Sequence, residues 1–117
     1  MKKLLASALI FFAPLCAQAA CSATDFTVQN VRVEGAAGHH VSLKGELVNH
    51  CATPAGAKLR IAAKNAAGDV IASHEIWPSG TTNLAPGKST WFNTGRLFDY
   101  RASMKSFAVT VVGTRNW

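Results

Sequence analysis

From Phe26 onward, apolar residues recur at every second position in short runs separated by glycine, proline and asparagine. That is the period of half-buried strands, and no stretch carries an apolar stripe at helical spacing. Phe26, Val28, Val31 and Val33 predict a first strand whose phase slips near Asn30, a slip that a bulge absorbs. Gly35, Ala36, Ala37 and Gly38 then turn the chain into a second strand carrying Val41, Leu43, Gly45 and Leu47. Leu59, Ile61 and Ala63 alternate with Lys58, Arg60 and Lys64 in the clearest half-buried strand, although Ala62 interrupts its polar row. A turn at Gly68 leads to a returning strand over 70–77, a long polar connection over 78–88, a strand over 89–94 and a long loop over 95–105. Phe107, Val109 and Val111 define the last strand, which runs to about Thr114.

About six to seven strands with no helix to cover them must bury their apolar faces against one another. The expected fold is an antiparallel β-sandwich, and one domain spanning residues 20–117 accommodates it.

Upstream of the strands the pattern changes. Lys2 and Lys3 precede an apolar run ending at Leu15, and Ala17, Gln18 and Ala19 follow. Basic start, short apolar segment and small residues form a secretory signal peptide over residues 1–19, and the run is too short to anchor the chain across a bilayer. The expectation is a periplasmic or secreted protein that does not span the membrane. Cleavage after Ala19 leaves 98 of the 117 residues. A lipid-anchored alternative would use Cys21, but Gln18, Ala19 and Ala20 before it lack the leucine usually found three positions back.

Cleavage also removes Cys16 and leaves Cys21 and Cys51, which an oxidising compartment pairs. The first hairpin offers an arithmetic check. A turn centred between Ala36 and Ala37 makes partner numbers add to about 73, and the two cysteines add to 72. They are expected to face each other just beyond the open end of that hairpin.

Gly45, Glu46, Leu47, Val48 and Asn49, the stretch 61–68, then Leu84, Ala85, Pro86, Gly87 and Phe92 together resemble the pattern of the bacterial FxLYD domain. The likeness covers roughly residues 41–93; at the four positions that name the family, this chain has Ile61, Ala63, Lys64 and Asn65. The resemblance implies an exported immunoglobulin-like sandwich with an adhesive or accessory role in the envelope. It transfers no functional residue.

Loss of Lys2 and Lys3 takes the twelve basic residues to ten against six acidic ones, a net charge of +4 with histidine neutral. Export excludes nucleic acid as the natural partner of such a domain and leaves anionic envelope polymers, lipid head groups or an acidic protein face. No nucleophile elbow, phosphate-cradling glycine loop or paired carboxylates support catalysis, and no cofactor is expected. Trp117 invites an outer-membrane barrel, but Arg115 breaks the lipid-facing row and the mature chain is short for eight strands with loops.

Two binding chemistries remain. The aromatic reading places a partner surface at Trp91, Arg96, Tyr100, Arg101 and Lys105, combining residue types enriched where proteins meet partners. On that reading Trp91 or Phe92 stands near one end of the sandwich, where the 95–105 loop begins, and the rival role for the rings is to plug the sandwich ends. The other chemistry is a metal carrier using His39, His40, His50 and His74. Adjacent His39 and His40 point to opposite faces of a strand, and His50 lies roughly 33 Å further along, so a shared tight site is not expected.

Overall fold

The computed structural model describes residues 20–34 and 39–117. The signal peptide expected over 1–19 and the turn expected at 35–38 lie outside the described residues. After a short 3-10 turn at Ala23–Asp25 come seven strands: β1 (Phe26–Glu34), β2 (His40–Asn49), β3 (Gly56–Lys64), β4 (Val70–Ile76), β5 (Ser89–Asn93), β6 (Phe98–Asp99) and β7 (Ser106–Arg115). They form two antiparallel sheets, one ordered β1-β2-β5 with β6 also on β2, the other β4-β3-β7. An immunoglobulin sandwich distributes its strands in the same manner, with A, B and E in one sheet and C′, C and F in the other. Among the described residues, no helix is long and apolar enough to cross a membrane.

Alternation puts the apolar face of each central strand inward. Along β2, Val41, Leu43, Gly45, Leu47 and Asn49 are buried and the intervening residues partly exposed. Leu59, Ile61 and Ala63 of β3 meet them from the opposite sheet. The core has two halves, one around Phe26, Leu47, Leu59 and Phe92, the other around Val41, Leu43, Ile61, Phe98 and Met104.

The expected phase slip in β1 is present. Pairing with β2 shifts register between Gln29 and Arg32, and Asn30 takes a φ of 55°, a left-handed value that asparagine tolerates better than most residues. Gly68 has a φ of 87° in the β3–β4 turn, where the Asn65 side chain accepts hydrogen bonds from the backbone N–H groups of Ala67 and Asp69.

Three expectations are corrected. First, partners in the hairpin add to 75 before the bulge (Phe26 with Asn49) and to 76 beyond it (Arg32 with Lys44), not to 73. The cysteines nevertheless meet, with Cα atoms 5.8 Å apart, because the 3-10 turn advances the chain by only about 2 Å per residue where a strand would advance over 3 Å. Second, the 95–105 stretch is not wholly loop: β6 extends the β5 edge along β2, pairing His40 with Asp99 and Val41 with Phe98. Third, Trp91 is not at an end of the sandwich. It pairs with Glu46 on the outer face of the first sheet, midway along β2.

The sandwich therefore has two poles. At one, Cys21 bonds Cys51, Thr114 Oγ1 donates to the Cys21 carbonyl at 2.8 Å, and Asn116 Nδ2 donates to the Pro54 carbonyl at 2.7 Å. At the other lie the β3–β4 turn and the crossover from β6 to β7, where Lys105 N–H donates to the Lys64 carbonyl at 2.7 Å.

Candidate functional site

The stretch 95–105 is fastened at close intervals. Thr94 N–H donates to Leu43 O, and the Leu43 N–H donates to Thr94 Oγ1 in return. Leu97 N–H bonds Val41 O, Tyr100 N–H bonds His39 O, and Met104 N–H closes a turn onto Arg101 O. Phe98 and Met104 are thereby buried, while Arg96, Arg101 and Lys105 face solvent.

Across from this strap runs β4, an edge strand. Its pairing with β3 slips between Ala63 and Lys64, leaving Ile71 as the extra residue, and Arg101 Nη2 donates to the Ile71 carbonyl at 3.1 Å. The bulge thus supplies a carbonyl that the ladder does not use, and the arginine ties the strap to the second sheet. His74 pairs with inward-facing Ile61, and its ring lies 5.2 Å from that of Phe98.

Between strap and strand opens a concavity of about 430 Å³. Leu97, Phe98, Met104 and Ala72 give it an apolar floor, and Arg96, Arg101, His74 and Asp99 bring charge and hydrogen-bonding groups to it. Asp99 Oδ1 lies 3.3 Å from His40 Nδ1 without the alignment of a hydrogen bond. The arrangement suits a partner that inserts an apolar group and sets an anion against the arginines.

Of the five expected partner residues, Arg96 and Arg101 line this concavity, and Tyr100 and Lys105 belong to the same strap. Trp91 stands apart from them. Its indole, 62% exposed, lies between shallow depressions lined by Asn30, Val31, Arg32, Lys44 and Asn93. Beside it Glu46 accepts hydrogen bonds from Gln29 at 2.8 Å and Asn30 at 3.3 Å. The Gln29 bond, followed by one from Ser89, holds the Glu46 carboxyl below its ordinary value.

The other tryptophans form a second aromatic cluster that the sequence reading did not assemble. Trp77 and Trp117 meet edge to face at 5.3 Å, with Lys58 5.8 Å from the first ring and Arg115 4.3 Å from the second. Gly56 lies beneath them, with Trp117 Nε1 2.9 Å from where a Cβ would stand. The pair covers the outer face of the second sheet beside the disulfide pole, over Gly56 and Lys58, and Trp117 remains 38% exposed.

The histidines are dispersed. His50 Nε2 contacts Thr27 Oγ1 at 3.1 Å, His40 approaches Asp99, and the His74 ring lies tilted against that of Phe98. Among the described residues, no three of His, Cys, Asp and Glu converge where they could hold a metal ion. Asn49 is a buried polar residue that the strand pattern passes over. It is fully buried, its Nδ2 donates to the carbonyls of Leu84 (2.7 Å) and Thr53 (3.1 Å), and its Oδ1 accepts from Cys51 N–H (2.7 Å). Its role is to hold the loops at the disulfide pole.

Compared with known proteins, the chain matches no family model, no curated protein and no solved structure.

Proposed function

We propose that this is an exported, non-catalytic binding module of the cell envelope, and that its working surface is the strap 95–105 over the open edge of β4. One observation carries the reading: two arginines flank an apolar floor in a concavity of about 430 Å³, and one of them is held in place by the Ile71 carbonyl. Export is supported by the basic, apolar and small-residue order of residues 1–19 and by the Cys21–Cys51 bridge. The partner is a protein or envelope component that presents anionic groups beside an apolar one.

The test is capture of the partner from native envelopes, followed by binding kinetics. Arg101→Ala should slow association at low salt, because rim charges act on encounter. Tyr100→Ala should speed dissociation by an amount worth roughly 1 to 2 kcal/mol. If both variants bind like the parent while substitutions at Lys58, Arg60 and Lys64 abolish binding, the working surface is the outer face of β3 instead.

A further inference from the structure

The opposite side of the sandwich is open as well. β7 pairs with β3 along one edge, and among the described residues no strand or loop pairs through its backbone with the other edge, although β1 and the 3-10 turn pack beside β7 and Thr114 Oγ1 donates to the Cys21 carbonyl. An immunoglobulin sheet carries a further strand, G, at this place. The side chains agree with a strand position left unfilled. Leu59 and Ile61 of β3 are fully buried, whereas their inward-facing partners Val111 and Val109 are only half-buried. On the facing edge, Val33 of β1 pairs with buried Leu43 yet remains 42% exposed.

Natural edge strands are usually blunted by charge, proline or brevity. β7 has ten residues, and from Phe107 to Thr114 it contains neither a charged residue nor a proline; its pairing with β3 skips Val112, so the regular edge runs from Phe107 to Val111 and a bulge follows it. Its cations stand at the two limits, Lys105 before the strand and Arg115 at its end. Antiparallel pairing of two copies about the middle of β7 would bring Lys105 of each near Arg115 of the other, and opposed like charges disfavour it.

We infer that the free edge of β7 accepts an extended segment of a partner protein, added as a further antiparallel strand, with apolar residues at alternate positions and acidic residues at both ends. Main-chain bonds to β7 would hold the segment, its apolar side chains would cover Val109, Val111 and Val33, and its ends would meet Lys105 and Arg115. This surface lies on the opposite edge of the second sheet from β4, so it is separate from the strap concavity.

The test uses the full chain with its disulfide intact and a synthetic peptide, acetyl-Glu-Glu-Val-Thr-Val-Thr-Val-Thr-Val-Glu-Glu-amide. Amide hydrogen exchange is followed residue by residue. In the free protein, alternate amides over 107–111 should exchange about tenfold or more faster than those bonded to β3, and saturating peptide should slow the fast set by at least about tenfold while leaving β4 unchanged. The same peptide with lysine for glutamate should bind several-fold more weakly, and N-methylation of the peptide amides that face β7 should abolish protection. The inference is overturned if both sets of β7 amides are equally slow without peptide, if millimolar peptide protects neither, or if protection rises with protein concentration alone and sedimentation shows a dimer. Arg101→Ala must leave peptide protection unchanged; its loss would place the peptide in the strap concavity.

Discussion

Phe92 occupies the space that a side chain at Gly45 would need: a Cβ there would stand 2.8 Å from Phe92 Cζ and 3.1 Å from Cε2. The two are cross-strand partners on the inner face of the β2–β5 pair, and Phe92 is buried, so its ring has little room to yield. Gly45→Ala should therefore destabilise the domain by about 1 to 3 kcal/mol, read from the shift of a urea unfolding midpoint. Combining it with Phe92→Leu should cost less than the sum of the two single changes, since the smaller side chain relieves the clash. Strict additivity would mean that the ring is not the obstacle.

Asn49 anchors three loop groups from a fully buried position. Asn49→Ala should lower stability by about 2 to 4 kcal/mol, because it removes three hydrogen bonds from a fully buried site and takes the acceptor from the Cys51 N–H. Asn49→Asp tests the donor alone. At pH 7 it sets a carboxylate against the Leu84 and Thr53 carbonyls, and it should be at least as damaging as alanine despite its matching shape. Thermal unfolding of both variants decides this.

The Cys21–Cys51 bond links positions 30 apart in sequence. Thiol titration of unfolded, unreduced protein spanning residues 20–117 should find no free thiol. Reduction should lower stability by about 3 to 4 kcal/mol on the chain-entropy estimate.

Glu75 accepts hydrogen bonds from Arg60 Nε at 3.0 Å and Nη2 at 2.6 Å, and its other oxygen lies 3.2 Å from Lys58 Nζ. The Arg60 bonds first, and Lys58 next, hold its carboxyl below the usual 4.5 of a glutamate. A folded-state value below the unfolded one contributes stability that is complete above the unfolded value and is lost as pH falls through the folded one. The stability difference between the parent and Glu75→Gln should thus stay constant from pH 7 to about 5 and shrink at lower pH. Because the group is exposed, salt should shrink it too.

Much of the fold could be read from alternation alone. In β2 and β3 the pattern is unambiguous, because each strand is flanked on both sides and has one fully buried face. In β4 it is not: an edge strand with an extra residue at Ile71 and exposed Val70 carries no clean period, so the pattern leaves its register open and only the pairing with β3 fixes it. β6 escaped notice because two residues have no period at all. The hairpin register is harder to read for a related reason, since a run of small residues such as Gly35, Ala36, Ala37 and Gly38 does not say at which position a chain turns.

The candidate site was legible in part. Proximity in sequence was enough to group Arg96, Tyr100, Arg101 and Lys105, which share one strap. It misled for Trp91, which is only five residues from Arg96 but on a different face, because alternation along β5 turned Phe92 inward and Trp91 outward. His74 and Met104 joined the concavity through packing across two sheets, and nothing in their local sequence carries that information.

The bonds from Thr114 to Cys21, from Asn116 to Pro54 and from Trp117 to Asn83 gather both limits of the described chain at the disulfide pole. A tether at either limit, whether a surface, a fused neighbour or a pulling probe, would hold the domain by the same end. Tyr100, Arg101 and Lys105 would then point away from the support like the business end of a short post. Pulling both limits apart would load Cys21 and the end of β7 across a crosslinked base, so the strands of the far pole would be the last to feel the force.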